Sequence, residues 1–168
     1  MIVFKYFEEE HYDNLLEMML DFYSSDAVDH PIEREIIVRL LEDILSGEHP
    51  IKGVEAYYDD KLVGFGVVTT YYTSEVAGTT VQLEDLFIQA EYRSKGIAKA
   101  YFKQVMESHP DAVRFRLEVS PSNVKAIKLY DAMGFRRLDY HQMVLNRYTL
   151  RTKETEKGEM KKNDSNCM

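Results

Sequence analysis

Apolar side chains recur along the early part of the chain with two different periods. Residues 2–7, I-V-F-K-Y-F, form a nearly continuous apolar run and read as a first strand. Tyr12, Leu15, Leu16, Met19, Leu20 and Tyr23 then fall three and four apart, which predicts a helix with one buried stripe. A second helix is expected to open at Pro31, a good first-turn residue. It carries Ile36, Ile37, Leu40, Leu41 and Ile44 on one face and stops near Gly47. Residues 53–58 and 62–72 read as two strands joined by Asp59-Asp60-Lys61, a hairpin.

The stretch 81–88 changes parity. Its apolar residues fall at odd positions first, Val81 and Leu83, and then at even ones, Leu86 and Ile88. A strand has a period of two, so one inserted residue, a β-bulge near Glu84-Asp85, accounts for the switch. A central strand that is apolar on both faces, with Phe87 included, accounts for it as well. A third helix is predicted over 96–108, with Ile97, Ala98, Tyr101, Phe102 and Val105 inward. Val113, Phe115, Leu117 and Val119 alternate with charged residues and predict a strand over 113–119. After Pro121-Ser122-Asn123 a fourth helix carries Ala126, Leu129, Tyr130 and Met133 and ends at Gly134. Residues 135–148 read as a last strand, and the polar stretch 151–168 as a disordered tail. The order predicts one α/β domain over 1–150 with a mixed sheet, its strands at 81–88 and 113–119 parallel because a helix joins them.

Composition narrows the function classes. The 168 residues carry a formal net charge of −8, which argues against general nucleic-acid binding. The same charge suits a cationic substrate. No apolar run reaches the roughly 18 residues of a membrane span, and the start of the chain lacks the basic-then-apolar pattern of a secretory signal. One cysteine, Cys167, allows no internal disulfide, which fits a reducing cytoplasm. Five scattered histidines show no metal-ligand spacing, so no metal is expected.

Against this acidic background every charged side chain between Glu91 and Glu107 is basic: Arg93, Lys95, Lys99 and Lys103. The segment Arg93-Ser94-Lys95-Gly96-Ile97-Ala98 sits between a strand and a helix. The first amides of a helix have no internal partners, and its dipole points a positive end at the loop. Small residues at Gly96 and Ala98 let an anion approach that backbone, so a pyrophosphate is the physically expected ligand. A glycine serving only a tight turn is the alternative. The spacings G-x-x-x-x-G-K-[ST] and G-x-G-x-x-G are both absent, which disfavours ATPases and dinucleotide enzymes.

The run L-E-D-L-F-I-Q-A-E-Y-R-S-K-G-I-A-K-A resembles motif A of the GNAT N-acetyltransferase superfamily, whose pattern [QR]-x-x-G-x-[GA] reads here as Arg93-x-x-Gly96-x-Ala98. V-S-P-S-N-V-K-A-I-K-L-Y-D-A-M-G-F resembles motif B, with Asn123, Ala126, Tyr130, Gly134 and Phe135 in register. Ala98 stands where glycine is commoner, and the tail has no counterpart. The resemblance covers residues 2–148, most strongly 81–136. It implies a mixed, mostly antiparallel sheet with a central parallel pair splayed at the cofactor and about four helices. It implies acetyl-CoA as co-substrate, with the backbone of Leu86, Phe87 and Ile88 along the pantetheine arm and the amides of residues 93–98 on the pyrophosphate. The implied product is an acetylated primary amine, formed by direct attack in a ternary complex. A homodimer is the family expectation.

Within that resemblance L-E-D-L-F-I is similar to L-E-D-F-F-V of the spermidine/spermine acetyltransferases, which makes Glu84 the candidate base, acting directly or through water. A carboxylate that merely pairs with a neighbouring group is the other reading of Glu84. Asp85 is set aside because alternation turns its side chain to the opposite face. Tyr130 is the candidate acid near the departing sulfur, or a core tyrosine. Asn123 either bonds the pantetheine or caps the fourth helix. The acceptor, a small molecule or a peptide amine, is expected near residues 20–35, which include His30. Glu8, Glu9, Glu10, Asp26 and Asp29 either attract a polyamine or form a solvated surface. A non-catalytic acyl-CoA sensor on the same fold is the alternative function.

Overall fold

In the computed structural model the elements follow the order β1 Ile2–Tyr6, α1 Tyr12–Tyr23, α2 Arg34–Ser46, β2 Ile51–Tyr58, β3 Lys61–Thr73, β4 Gly78–Ile88, α3 Ile97–Ser108, β5 Arg114–Leu117 and α4 Val124–Ala132. The structure describes residues 1–146 except 26, 27 and 29. It divides into two units between Gly134 and Phe135, and all nine elements belong to the first. The sheet runs β1-β2-β3-β4-β5. Its first three pairings are antiparallel, and β4 pairs β5 in parallel, as a helical crossover requires. β5 is thus an edge strand among the described residues rather than a central one. No helix among them is long and apolar enough to cross a membrane.

The β2–β3 hairpin turns on two residues, Asp59 and Asp60, both at positive φ (48° and 63°). That pair of left-handed residues is the turn whose twist matches the strands. The second helix differs from expectation. It starts at Arg34, with Glu33 extended ahead of it, and not at Pro31. The amide of Ile32 donates to the carbonyl of Tyr23 at 3.4 Å, so a tertiary bond to the end of α1 holds the segment that propensity would have coiled.

Helices α1 and α2 lay Leu15, Met19, Phe22, Ile37 and Leu41 against Phe65, Val67 and Phe87 of the sheet. The opposite face is covered by α3, whose Tyr101 and Phe102 are almost fully buried. Tyr101 lies across Gly66: a Cβ built on that glycine would come within 2.3 Å of the tyrosine ring. Gly66→Val should therefore cost about 2 kcal/mol or more through overpacking, read as a lower midpoint in denaturant melts with the m-value unchanged. One buried acidic side chain has no sequence signature. Glu55 of β2 is 0% exposed and accepts bonds from the Glu8 amide (3.0 Å) and the Tyr57 hydroxyl (2.5 Å), beside His11. These partners satisfy the carboxylate, as burial demands.

The last expected strand does not form. Residues 135–146 contain no strand, and the rest of the expected 135–148 stretch, with the tail at 151–168, lies outside the described residues. In this unit Leu138, Tyr140, Met143, Val144 and Leu145 are exposed, so no buried apolar face sets a register. The alternation is also imperfect, with Arg136, Arg137 and Asp139 interrupting it.

Candidate active site

β4 carries the expected bulge. Val67 of β3 lies opposite Asp85 and Val68 opposite Leu83, which leaves Glu84 without a cross-strand partner. The inserted residue explains the parity change. Leu86 lies opposite Gly66, on the α3 face, whereas Phe87 belongs to the core beneath α1 and α2. It also overturns the simple alternation that turned Asp85 away from Glu84. Thr69, two residues along β3 from the core residue Val67, donates its hydroxyl to Glu84 at 2.6 Å. Tyr23, at the end of α1, donates to Asp85 at 2.5 Å. Both carboxylates therefore share the α1–α2 face, one exposed and one partly buried.

Their environments differ. Burial pushes the Asp85 carboxyl up to about 6; the Tyr23 bond pulls it down, and the charge of Glu84 adds to the rise. Burial above all, with the Asp85 charge next, lifts the Tyr23 phenol far out of its ordinary range and keeps it a donor. Among the described residues no cation makes a salt bridge to either carboxylate. Sequence reasoning missed Tyr23 as a partner because its spacing on α1 reads as core, and it missed Asp85 because a period of two does not survive a bulge.

Beyond the bulge β4 parts from its neighbour. The parallel pairing covers Thr80 to Leu83 against Arg114 to Leu117 and stops there, so residues 84–88, including Leu86, Phe87 and Ile88, have β3 on one flank and, among the described residues, no strand on the other. An extended chain can add to such a flank through main-chain bonds. At its end the chain turns through Arg93 and Ser94 into α3. Ser94 and Gly96 are both left-handed (φ 63° and 84°), and Gly96 is the N-cap, with no side chain bonded across the helix start. Among the described residues, apart from the adjoining chain itself, nothing lies within 4 Å of where a Gly96 Cβ would stand. That open space at the helix start, where the leading amides of Ile97, Ala98 and Lys99 have no intrahelical partner, fits an anionic phosphate group.

The basic side chains of the loop are arranged less simply than their charges suggest. Arg93 uses Nε to bond the carbonyl of Ile88 at 2.8 Å and so braces the turn. Lys95 lies over the Tyr58 ring at 5.5 Å. Lys125, from the first turn of α4, donates to the Ser94 hydroxyl at 2.9 Å. It brings a second helix start beside the loop, a cation that motif spacing alone did not single out.

On α4 the Asn123 side chain caps the helix: its Oδ1 accepts from the Ala126 amide at 3.1 Å. Tyr130 is partly buried and meets the Phe102 ring edge-to-face at 5.4 Å, on the α3 side of the sheet. Burial raises its phenol above the ordinary value, so it stays protonated at neutral pH. Glu84, bonded to Thr69, thus lies on the α1–α2 face, and Tyr130 packs with Phe102 on the α3 side. A cavity of about 540 Å³ lies along α1, with Glu17 and Asp21 on its wall and Phe87 and Gln89 at its β4 end.

The chain is 38% identical over 79 residues to the thialysine N-epsilon-acetyltransferase of Sus scrofa, a match covering 46% of each chain. It is 30% identical over 92 residues to the spermine/spermidine N(1)-acetyltransferase of Bacillus subtilis (strain 168), covering 52% of this chain and 60% of that one. The chain thus spans about half the length of the curated relatives it matches. The crystal structure of a possible acetyltransferase from Clostridium difficile 630 superposes with a TM-score of 0.71 at 18% identity, covering 86% of this chain and 97% of that one, and so shares the fold. The model of the acetyltransferase (GNAT) family matches residues 12–135, which include the bulged strand, the loop, α3 and α4. By that match and that fold, the chain belongs to the acetyltransferase (GNAT) family.

Proposed function

We propose that this protein transfers an acetyl group from acetyl-CoA to a cationic primary amine. The observation that carries the proposal is the unpaired flank of β4 leading into the open, uncapped start of α3. Bound acetyl-CoA supplies an activated acetyl thioester. The amides of Ile97 and Ala98, with Gly96 giving access and the loop of Arg93, Ser94 and Lys95 around it, hold the pyrophosphate. The backbone of Leu86, Phe87 and Ile88 holds the pantetheine arm as an added strand would. The amide group of Asn123, whose oxygen is engaged in the cap, offers a further donor to that arm.

An alkylamine has a pKa near 10 and must lose a proton before it attacks. Glu84, exposed on the bulge, takes that proton directly or through water. Tyr130, from the other face, donates to the departing sulfur as charge develops there. The acidic wall of the α1 cavity and the net charge of −8 favour a cationic acceptor. The names of the two relatives, which point to spermine, spermidine and the ε-amine of thialysine, support the same choice.

The test is thiol release from acetyl-CoA with a panel of polyamines, lysine-like amino acids, aminoglycosides and lysine peptides. Turnover is expected with at least one cationic amine, in proportion to acetylated product. Binding of acetyl-CoA without turnover on any amine would instead favour a sensor. Glu84→Gln should slow turnover about tenfold at neutral pH and recover toward the parent rate near pH 10, where amines lose protons unaided. A mutant-to-parent ratio that stays flat with pH removes Glu84 from the proton path.

A further inference from the structure

The bulge places a second carboxylate beside Glu84, and its surroundings differ from those of an ordinary surface aspartate. Asp85 lies opposite Val67, on the face covered by α1, two residues before the core side chain Phe87. Tyr23 donates to its Oδ2 at 2.5 Å, and among the described residues this is the one hydrogen bond to the carboxyl. The residue keeps part of its surface accessible, and Phe87 beside it lines the α1 cavity.

We propose that Asp85 is a further catalytic residue, the inner carboxylate that receives the amine's proton through its Oδ1, and that Tyr23 is the positioning residue that holds it. This rests on the acetyl-transfer reading above. Glu84, exposed and held by Thr69, is the outer carboxylate that draws the ammonium in and takes its proton first, directly or through water, and Asp85 receives that proton from it. The step balances within the reaction. The ammonium gives one proton through Glu84 to Asp85, and its freed electron pair forms the carbon–nitrogen bond as the carbon–sulfur bond breaks. Coenzyme A leaves as a thiolate hydrogen-bonded by Tyr130 and becomes the thiol with the second proton shed by the attacking nitrogen, and the proton on Asp85 returns to solvent.

The groups around Asp85 define the expected pH response. Tyr23 faces it from α1, Glu84 lies beside it on β4, Val67 and Phe65 of β3 and Phe22 of α1 are apolar, and Tyr101 of α3 feels its charge from the other face. An ionised carboxylate is needed to accept the proton. With Asp85 in that role, kcat/KM falls below about pH 6, the value to which burial raises this carboxyl. A site served by an ordinary aspartate would lose activity only near pH 4. Tyr23 stabilises the ionised form, so removing its hydroxyl moves the acid limb upward.

The experiment is the pH profile of kcat/KM for the parent, Tyr23→Phe and Asp85→Asn, with the best amine from the thiol-release panel. The parent should show its acid limb near pH 6. Tyr23→Phe should shift that limb upward by about one pH unit. Asp85→Asn should abolish the limb and lower the plateau about tenfold. Carbon NMR titration of the aspartate carboxyls should show one group titrating near 6 in the parent and none in Asp85→Asn. If Asp85→Asn fails to fold, the Tyr23→Phe limb and the parent titration decide. A limb unmoved by Tyr23→Phe, or a parent in which every aspartate titrates near pH 4, overturns the proposal while acetyl transfer stands. Absence of turnover with every amine overturns both.

Discussion

Tyr130→Phe is expected to lower kcat by about a hundredfold while leaving the affinity for acetyl-CoA within a factor of about three. The substitution keeps the ring, and with it the edge-to-face contact with Phe102 that fixes α4 against α3. What it removes is one O–H. Burial raises that phenol, so across the neutral range the parent always presents a proton. A phenol that is harder to ionise is a poor acid toward a free thiolate. Its contribution is therefore a hydrogen bond that strengthens as negative charge builds on sulfur, an effect confined to the transition state. Steady-state kinetics with an independent binding measurement separate the two quantities. If kcat is unchanged, Tyr130 is a packing residue and the charge on the departing sulfur is stabilised elsewhere.

Gly96→Val is the second large effect. The N-cap sits at φ 84°, a conformation that a β-branched residue adopts at a cost of about 1–2 kcal/mol. The space around its Cβ is empty within 4 Å, so the domain should fold with only a modest loss of stability. Acetyl-CoA binding should suffer far more. Two methyl groups would stand where a phosphate must approach the amides of Ile97 and Ala98, and the strained loop would turn those amides aside. A rise in Kd of about a hundredfold, near 2.7 kcal/mol, is expected by calorimetry. Gly96→Ala should fall between parent and valine. Equal affinities across the three would separate the cofactor from this loop.

Much of the scaffold was legible because each signal was local. The three-and-four spacing of α1, the positive-φ aspartates of the hairpin and the strand-loop-helix at residues 88–97 depend on neighbours in sequence. The bulge was legible as well, since one inserted residue leaves a trace in parity. The consequences of that bulge for side chains were not. Asp85 shares a face with Glu84 because the insertion resets alternation, and its pairing with Tyr23 spans 62 residues of sequence. The buried Glu55 illustrates the same limit, since Glu8 and His11 reach it from a segment more than 40 residues away, while only Tyr57 belongs to its own strand. Residues 135–146 show the converse. An apolar pattern was present, but a strand needs a paired backbone and a buried face, which no single segment contains.

The catalytic assignments all presuppose where the thioester lies. The most direct test is titration of the ¹⁵N-labelled protein with coenzyme A, following each backbone amide by NMR. The largest shifts are expected at residues 96–99 and along 84–88, with little change in β1 and β2. Saturable binding that leaves those amides unmoved and shifts another face of the sheet would contradict the account.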